Sequence, residues 1–166
     1  ANPNFLAAVG ANRLNVSGHS DSVQGKVDVP ILTGGQEHVV DDAEWDRFCD
    51  GLNELGKIAS DRGFELCYHH HMGTVVQTSE ETDRVVSNTD PRYVFLCYDT
   101  GHFTFAGADP LAMLQKYVDR VGHVHLTDMR LPVVEEARKN NRSFLHSVRN
   151  GAFTVPRDGD VDFDPV

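Results

Sequence analysis

Histidines and one aspartate follow three strand-like segments of the chain, and these residue types can bind a metal or move a proton. The residues are His69-His70-His71 after one segment, Asp99 and His102 after another, and His123 and His125 within a third. Active sites of parallel α/β sheets gather at the carboxyl ends of the strands. We therefore expect these three strand ends to converge on one metal.

Asp99 and His102 stand on either side of a turn that contains Gly101. A carboxylate directly after a buried strand is unfavourable unless it is paired, hydrogen-bonded or bound to a cation. The sequence therefore favours a functional role for both side chains. The alternative is that Asp99 caps a turn and His102 lies at the surface.

His123 and His125 alternate with an apolar residue, so in a strand both side chains point to the same side. His125 is nearer the carboxyl end and is the better ligand candidate, whereas His123 can be a hydrogen-bonded core histidine. Asp128 is predicted to orient His125 as its hydrogen-bond partner. By the same alternation His69 and His71 share one face and His70 the other, unless the triplet is a solvated loop.

Imidazole and carboxylate groups, with no thiolate, make up this candidate ligand set. Such ligands suit Mn²⁺, Co²⁺, Fe²⁺ or Zn²⁺ better than Ca²⁺. The sequence therefore predicts a transition-metal site and leaves the choice of metal open.

Strands and helices alternate along the chain and would position these side chains. The predicted strands cover residues 13–17, 64–68, 93–98 and 121–126, and the predicted helices begin near residues 41, 78, 109 and 133. Short connections predict parallel strands with right-handed crossovers. Four strands do not close a barrel, so the chain is either a small open α/β sheet or part of a (β/α)₈ barrel.

Length and charge limit the function classes. The 166 residues suffice for one domain, residues 1–166, and the net charge of −10 argues against a nucleic-acid or anionic-membrane partner. We expect no membrane span and no export signal, because apolar runs are short and no leader pattern is visible. The three cysteines have no CxxC spacing and are expected to be reduced core residues of a cytoplasmic protein.

Three longer motifs carry a family resemblance. The stretches YHHHMGTVVQT, DTGHFTFAGADPLAMLQKYVDRVGHVHLTDMR and NGAFTVPRDGDVDF resemble the inosose dehydratases of inositol catabolism, from about Ser20 to the end of the chain. The resemblance implies a xylose isomerase-like (β/α)₈ TIM barrel of nearly twice this length, of which these residues would be the second half without its last strand. It also implies dehydration of scyllo-inosose (2-keto-myo-inositol) to a trihydroxycyclohexane-dione, with Mn²⁺ or Co²⁺ as the metal and Zn²⁺ as a further candidate.

The resemblance also implies roles for individual residues. Asp99 and His125 fall at metal-ligand positions, and His69 falls where relatives have a glutamate ligand. His71 and His102 fall at substrate-side, catalytic positions. A further glutamate ligand would lie beyond the end of this sequence. Thr127 stands where relatives often have a lysine, and Gly18-His19 stand where they usually have an acidic residue.

The implied chemistry fits these parts. A divalent metal that holds a ketone and its neighbouring hydroxyl acidifies the proton on the adjacent carbon. A histidine, with an ordinary pKa of about 6.5, can remove that proton near neutral pH, and a second group protonates the departing hydroxyl. The residue for each transfer is His71 or His102, in either order.

Two alternatives remain open at this point. A metal-dependent sugar isomerase or epimerase of the same superfamily passes through the same enediolate, on a small polyol or keto-sugar substrate. A non-catalytic half-barrel that binds metal is the second alternative. Because an incomplete barrel exposes apolar strand edges, we also expect it to form a homo-oligomer or to be unstable.

Overall fold

The computed structural model describes residues 3–18, 22–30 and 40–164, so His19 and the start of the predicted resemblance at Ser20 lie outside the described residues. The helices are α1 Pro3–Ala8, α2 Asp42–Ser60, α3 Ser79–Asn88, α4 Thr100–Ala106, α5 Pro110–Tyr117, α6 Leu131–Lys139 and α7 Phe144–Arg149. The strands are β1 Arg13–Val16, β2 Glu65–His69, β3 Val94–Asp99, β4 Val121–His125, β5 Asp128–Met129 and β6 Phe153–Thr154.

The first four strands form one parallel sheet in the order β1-β2-β3-β4. Helices connect successive strands, as the alternating pattern predicted. In the register of this sheet, His69 lies opposite Cys97 and Asp99 lies opposite His125. The carboxyl ends of β2, β3 and β4 therefore reach the same rim of the sheet.

Side-chain caps begin the three long connecting helices. Asp41 and Glu44 form a reciprocal capping box at α2, and Thr78 and Glu81 form another at α3. Asp109 caps α5 by accepting a hydrogen bond from the Leu111 amide at 2.9 Å. These helix starts confirm the sequence prediction, because caps are specified by residues within three or four positions of one another.

Close packing of α2 against the sheet depends on a residue without a side chain. Gly56 is buried in α2, and a Cβ atom placed there would lie 2.5 Å from the Tyr93 carbonyl oxygen. Gly51, on the exposed side of the same helix, has nothing within 4 Å of such a Cβ. The apolar face of α2 packs through the buried residues Trp45, Cys49, Leu52 and Ala59.

The prediction of a turn after Asp99 was wrong, because α4 begins immediately at Thr100. The Asp99 carboxylate accepts the His102 amide at 3.0 Å and caps this helix, which ends at Gly107 with φ of 89°. The seven-residue helix is short and nearly all buried, so it lacks the alternating polar face by which sequence patterns reveal a helix.

The loop predicted at residues 151–159 contains a short strand, β6. Within it, β6 pairs with β5 in a short antiparallel ladder, and α7 precedes it. Arg130 holds this segment, because its guanidinium donates to the Gly151 carbonyl and to the Thr154 hydroxyl. The chain therefore folds back toward the rim that carries the histidines.

The prediction that the three cysteines are reduced core residues is confirmed. All three cysteines are free and buried, and burial raises the pKa of the Cys67 thiol to about 11. No helix within residues 3–18, 22–30 and 40–164 has the length and hydropathy that crossing a bilayer requires.

Candidate metal centre

Three side-chain atoms form a small triangle at the rim of the sheet. The Nε2 atom of His69 lies 3.3 Å from Oδ2 of Asp99 and 3.1 Å from Nδ1 of His125. The third side, from Nδ1 of His125 to the same Asp99 oxygen, measures 3.3 Å. The structure therefore brings together the three residues for which a metal-ligand role was predicted.

The parallel register explains why these residues meet. Asp99 ends β3, the strand between β2 and β4, and His125 is its direct partner on β4. His69 ends β2 opposite Cys97, two residues before Asp99, and its longer side chain extends toward the rim to reach Asp99. Residues 56 positions apart in the chain are thus placed in contact by two strand pairings.

The triangle fits a divalent transition metal. Imidazole nitrogens and carboxylate oxygens bind such ions at roughly 2.0–2.2 Å, so donor atoms of one tetrahedral or octahedral ion lie roughly 3 Å apart. The three measured sides, 3.1–3.3 Å, match this separation. His69, Asp99 and His102 also offer donor atoms within 4.8 Å of one another, so a fourth group lies nearby.

Asp99 is charged despite its burial. Burial alone would raise the pKa of this carboxyl group, but hydrogen bonds with His125 and His69 hold it well below the usual range. The hydrogen bond with Asp99 in turn raises the pKa of His125. The site thus presents an ionised carboxylate between two imidazoles, which is the charge distribution that a cation requires.

His71 and His102, the predicted catalytic pair, pack beside the triangle with ring centroids 4.0 Å apart and ring planes tilted by 43°. Nδ1 of His102 faces the Met72 amide at 3.3 Å, so it accepts that hydrogen and Nε2 carries the ring proton. Nδ1 of His71 lies 2.7 Å from the Met72 carbonyl oxygen, so it donates and Nε2 carries the lone pair. One residue, Met72, therefore holds the two rings in opposite tautomers.

Burial keeps His102 neutral. The ring is buried, and desolvation lowers its pKa well below the ordinary value, although the Asp99 charge opposes this. His102 therefore acts as a neutral hydrogen-bond donor through Nε2 rather than as a cation. The alternative that His102 lies at the surface was wrong, because the ring is buried; its functional role stays a prediction.

Two phenylalanines from the carboxyl-terminal segment line the histidine pair. Phe153 lies 5.1 Å from the His102 ring, and Phe144 lies 5.9 Å from His102 and 5.4 Å from His71. We did not find these residues from the sequence, since an isolated phenylalanine carries no chemical signature. The only sequence signal was for Phe153, whose NGAFTV stretch belongs to one of the motifs that carry the resemblance; Phe144 lies outside these motifs.

His70 and His123 lie outside the triangle. The His70 ring points to the other face of β2, as predicted, where it is buried and stacks on Phe103 with centroids 3.8 Å apart. Among the residues that the structure describes, neither of its ring nitrogens has a side-chain or backbone partner within hydrogen-bond geometry. His123 lies on the same face as His125, with centroids 5.2 Å apart.

The prediction that Asp128 orients His125 was wrong. The Asp128 carboxylate is fully buried and accepts hydrogen bonds from the amides of Met129, Gly159 and Val161 at 2.7–2.9 Å. Two of these amides lie some thirty residues away, so no sequence pattern indicated them. Asp128 therefore anchors the carboxyl-terminal segment instead.

Thr127 lies beside the triangle, at the position where the resemblance implies that relatives often have a lysine. Its hydroxyl lies 3.4 Å from Oδ2 of Asp99, and its backbone amide donates to the Thr100 hydroxyl at 2.9 Å. The side chain is thus a neutral neighbour of the carboxylate rather than a cation.

Comparison with known proteins agrees with this fold. An inosose dehydratase of Clostridium perfringens is 49% identical over 162 residues, which cover 98% of this chain and 54% of that protein. A probable 3-DHS dehydratase, AsbF, involved in petrobactin synthesis in Bacillus anthracis superposes with a TM-score of 0.70 at 12% identity, over 98% of this chain and 54% of that one. The chain spans about half the length of the curated relatives it matches.

A zinc-binding structure is a further neighbour. The IOLI protein with a binding zinc atom superposes with a TM-score of 0.65 at 17% identity, over 98% of this chain and 50% of that one. The family model described as xylose isomerase-like TIM barrel matches residues 4–166. Of the two architectures left open by the sequence, the four-stranded parallel sheet is therefore part of a barrel, and the chain belongs to the xylose isomerase-like TIM barrel family.

Proposed function

We propose that these residues belong to a metal-dependent dehydratase of inositol catabolism, which converts scyllo-inosose to a trihydroxycyclohexane-dione and water. The observation that carries the proposal is the triangle of His69, Asp99 and His125 beside two histidines in opposite tautomers. The 49% identity to an inosose dehydratase supports the choice of substrate.

The metal would be held by His69, Asp99 and His125. Mn²⁺ or Co²⁺ is our first choice, and the zinc atom of the IOLI neighbour supports Zn²⁺ as the alternative. When bound, such an ion polarises a ketone oxygen and acidifies the proton on the adjacent carbon. In this proposal the buried, ionised Asp99 provides the negative charge that retains the ion.

His71 is the group that we assign to proton removal. Its Nδ1–H is engaged by the Met72 carbonyl oxygen, so Nε2 carries the lone pair that a base needs. The sequence left open which of the two histidines removes the proton and which acts on the departing hydroxyl. The hydrogen bonds of Met72 favour this order.

His102 is the group that we assign to the departing hydroxyl. Its Nε2–H donates a hydrogen bond to that oxygen, and the proton taken by His71 ends on the same hydroxyl. The carbon–hydrogen and carbon–oxygen bonds break, a carbon–carbon double bond forms, and water leaves with no net gain of protons. Phe144 and Phe153 cover one side of the histidine pair and exclude bulk water there.

We also propose a small polyol ketone, rather than nucleic acid or a membrane, as the partner of this site. The net charge of −10 supports this choice, and the three free, buried thiols are compatible with the reducing cytoplasm. We further propose association into a homo-oligomer, since among the described strands β1 and β4 each have one neighbour in the sheet and can pair with another strand.

The test is a product assay on the complete protein. After chelation, scyllo-inosose is added with and without Mn²⁺ or Co²⁺, and the product is identified by mass. Metal-dependent loss of one water is the expected result. A product of unchanged mass would replace the dehydratase with an isomerase or epimerase, and metal binding without any turnover would favour a non-catalytic half-barrel.

A further inference from the structure

Cys97 lies on β3 two residues before Asp99, so both side chains point to the same face of the strand. The sheet register places Cys97 beside His69 on one side. One nitrogen of His69, one nitrogen of His125 and the Sγ atom of Cys97 all lie within 4.8 Å of one another. The two histidines of the triangle are therefore close to a thiol as well as to a carboxylate.

We propose that His69, Cys97 and His125 form an alternative metal site for thiophilic divalent ions, of which Cd²⁺ is the representative. Sulfur is a soft ligand that prefers such ions, whereas the set containing Asp99 suits Mn²⁺ better. Because both sites use the same two histidines, one ion excludes the other. The site thus makes the protein sensitive to thiophilic metals, a property beyond the dehydratase activity proposed above.

The other two cysteines do not share this arrangement. In the part of the chain that the structure describes, neither Cys49 nor Cys67 joins a group of three such ligands. Cys67 nevertheless matches Cys97 closely, because it is fully buried, precedes His69 by two residues and lies in the neighbouring strand β2. It therefore provides a matched control.

Binding at this site forms a metal–sulfur bond, and the thiol proton passes to the buffer. No electron is transferred and no other reactant is needed. The bond has a spectroscopic signature, since thiolate-to-metal charge transfer absorbs in the ultraviolet, where the Mn²⁺ site with nitrogen and oxygen ligands has no corresponding band.

The experiment titrates the complete, chelator-treated protein with Cd²⁺ and follows this absorption. We expect one equivalent of Cd²⁺ to produce the band in the wild type and in Cys67→Ser, and no band in Cys97→Ser. Cys97→Ser should weaken Cd²⁺ binding at least about tenfold, since losing even an outer partner of a ligand has an effect of that size. Mn²⁺ affinity should be unchanged, and excess Mn²⁺ should suppress the band in the wild type.

Three results would overturn the proposal: no band in the wild type, a band that persists in Cys97→Ser, or a wild-type band that excess Mn²⁺ does not reduce. The last measurement needs no variant, so the test remains decisive if Cys97→Ser does not fold. The product assay described above tests the proposed dehydratase activity separately. Metal-dependent water loss without the Cd²⁺ band rejects only the cysteine site, and the band without water loss rejects only the dehydratase.

Discussion

Nε2 of His69 and Nδ1 of His125 lie 3.1 Å apart, although 56 residues separate them in the chain. Without an ion, two neutral ring nitrogens at this distance are compatible only if one carries a proton and the other a lone pair. With an ion between them and Asp99, both lone pairs face the same charge. The short distance therefore fits either an N–H···N hydrogen bond or two ligands of one cation.

Loss of a ligand should abolish metal-dependent catalysis. We expect Asp99→Ala or His125→Ala in the complete protein to eliminate metal-dependent loss of water from scyllo-inosose and to weaken Mn²⁺ binding, measured by calorimetry. The matched control is His123→Ala, on the same face of β4 as His125 but outside the triangle. Wild-type activity in either ligand variant would refute the assignment of the site.

Variants of the two histidines that we propose to be catalytic should block different steps of the reaction. His71→Gln removes the basic nitrogen, so exchange of the substrate proton next to the carbonyl with deuterium from solvent should stop. His102→Gln keeps a hydrogen-bond donor but misplaces it, so deuterium exchange should continue while water loss slows by about 10²-fold or more. Nuclear magnetic resonance of recovered substrate and product measures both rates. Exchange that persists in His71→Gln and stops in His102→Gln would reverse the roles.

Two glycines of α2 should respond oppositely to the same substitution. Gly56→Ala should lower the free energy of unfolding by about 2 kcal/mol or more, because its Cβ would lie 2.5 Å from the Tyr93 carbonyl oxygen. Gly51→Ala should raise it by about 0.5–1 kcal/mol, since alanine is the better helix former and the site is open. Urea denaturation provides both values. Equal effects of the two changes would contradict the close approach of α2 to the chain at Tyr93.

Acid should destabilise the protein partly through His70. Burial, together with the nearby His69, lowers the pKa of this ring from 6.5 to about 3. Because the unfolded chain binds a proton below pH 6.5 and the folded chain does not, the free energy of unfolding should fall as pH decreases from about 6.5 to 3.

The matched variant is His70→Phe, which keeps an aromatic ring against Phe103 and cannot titrate. Urea denaturation of the chelator-treated protein at a series of pH values should show a smaller loss of stability in this variant than in the wild type. An unchanged pH dependence would show that His70 is not the group responsible.

Local sequence signals were sufficient for much of the fold. The starts of α2, α3 and α5 were predicted correctly, because each helix start depends on residues within one helical turn. Helix α4 was missed since it is short, buried and continuous with β3. Its cap is Asp99, the same residue whose position after an apolar run had suggested a metal ligand.

The sequence by itself determined which residues can do chemistry and on which face of a strand each lies. The alternation of His69, His70 and His71 and the spacing of Asp99 and His125 sufficed for that, because strand geometry has a period of two. The tertiary structure decided which partner each group has. The tautomers of His71 and His102 depend on their hydrogen bonds with Met72. The Asp128 carboxylate accepts hydrogen bonds from the amides of the distant residues Gly159 and Val161. Hydrogen-bond partners brought together by folding, rather than by neighbouring positions in the chain, determine these roles, and no local pattern encodes them.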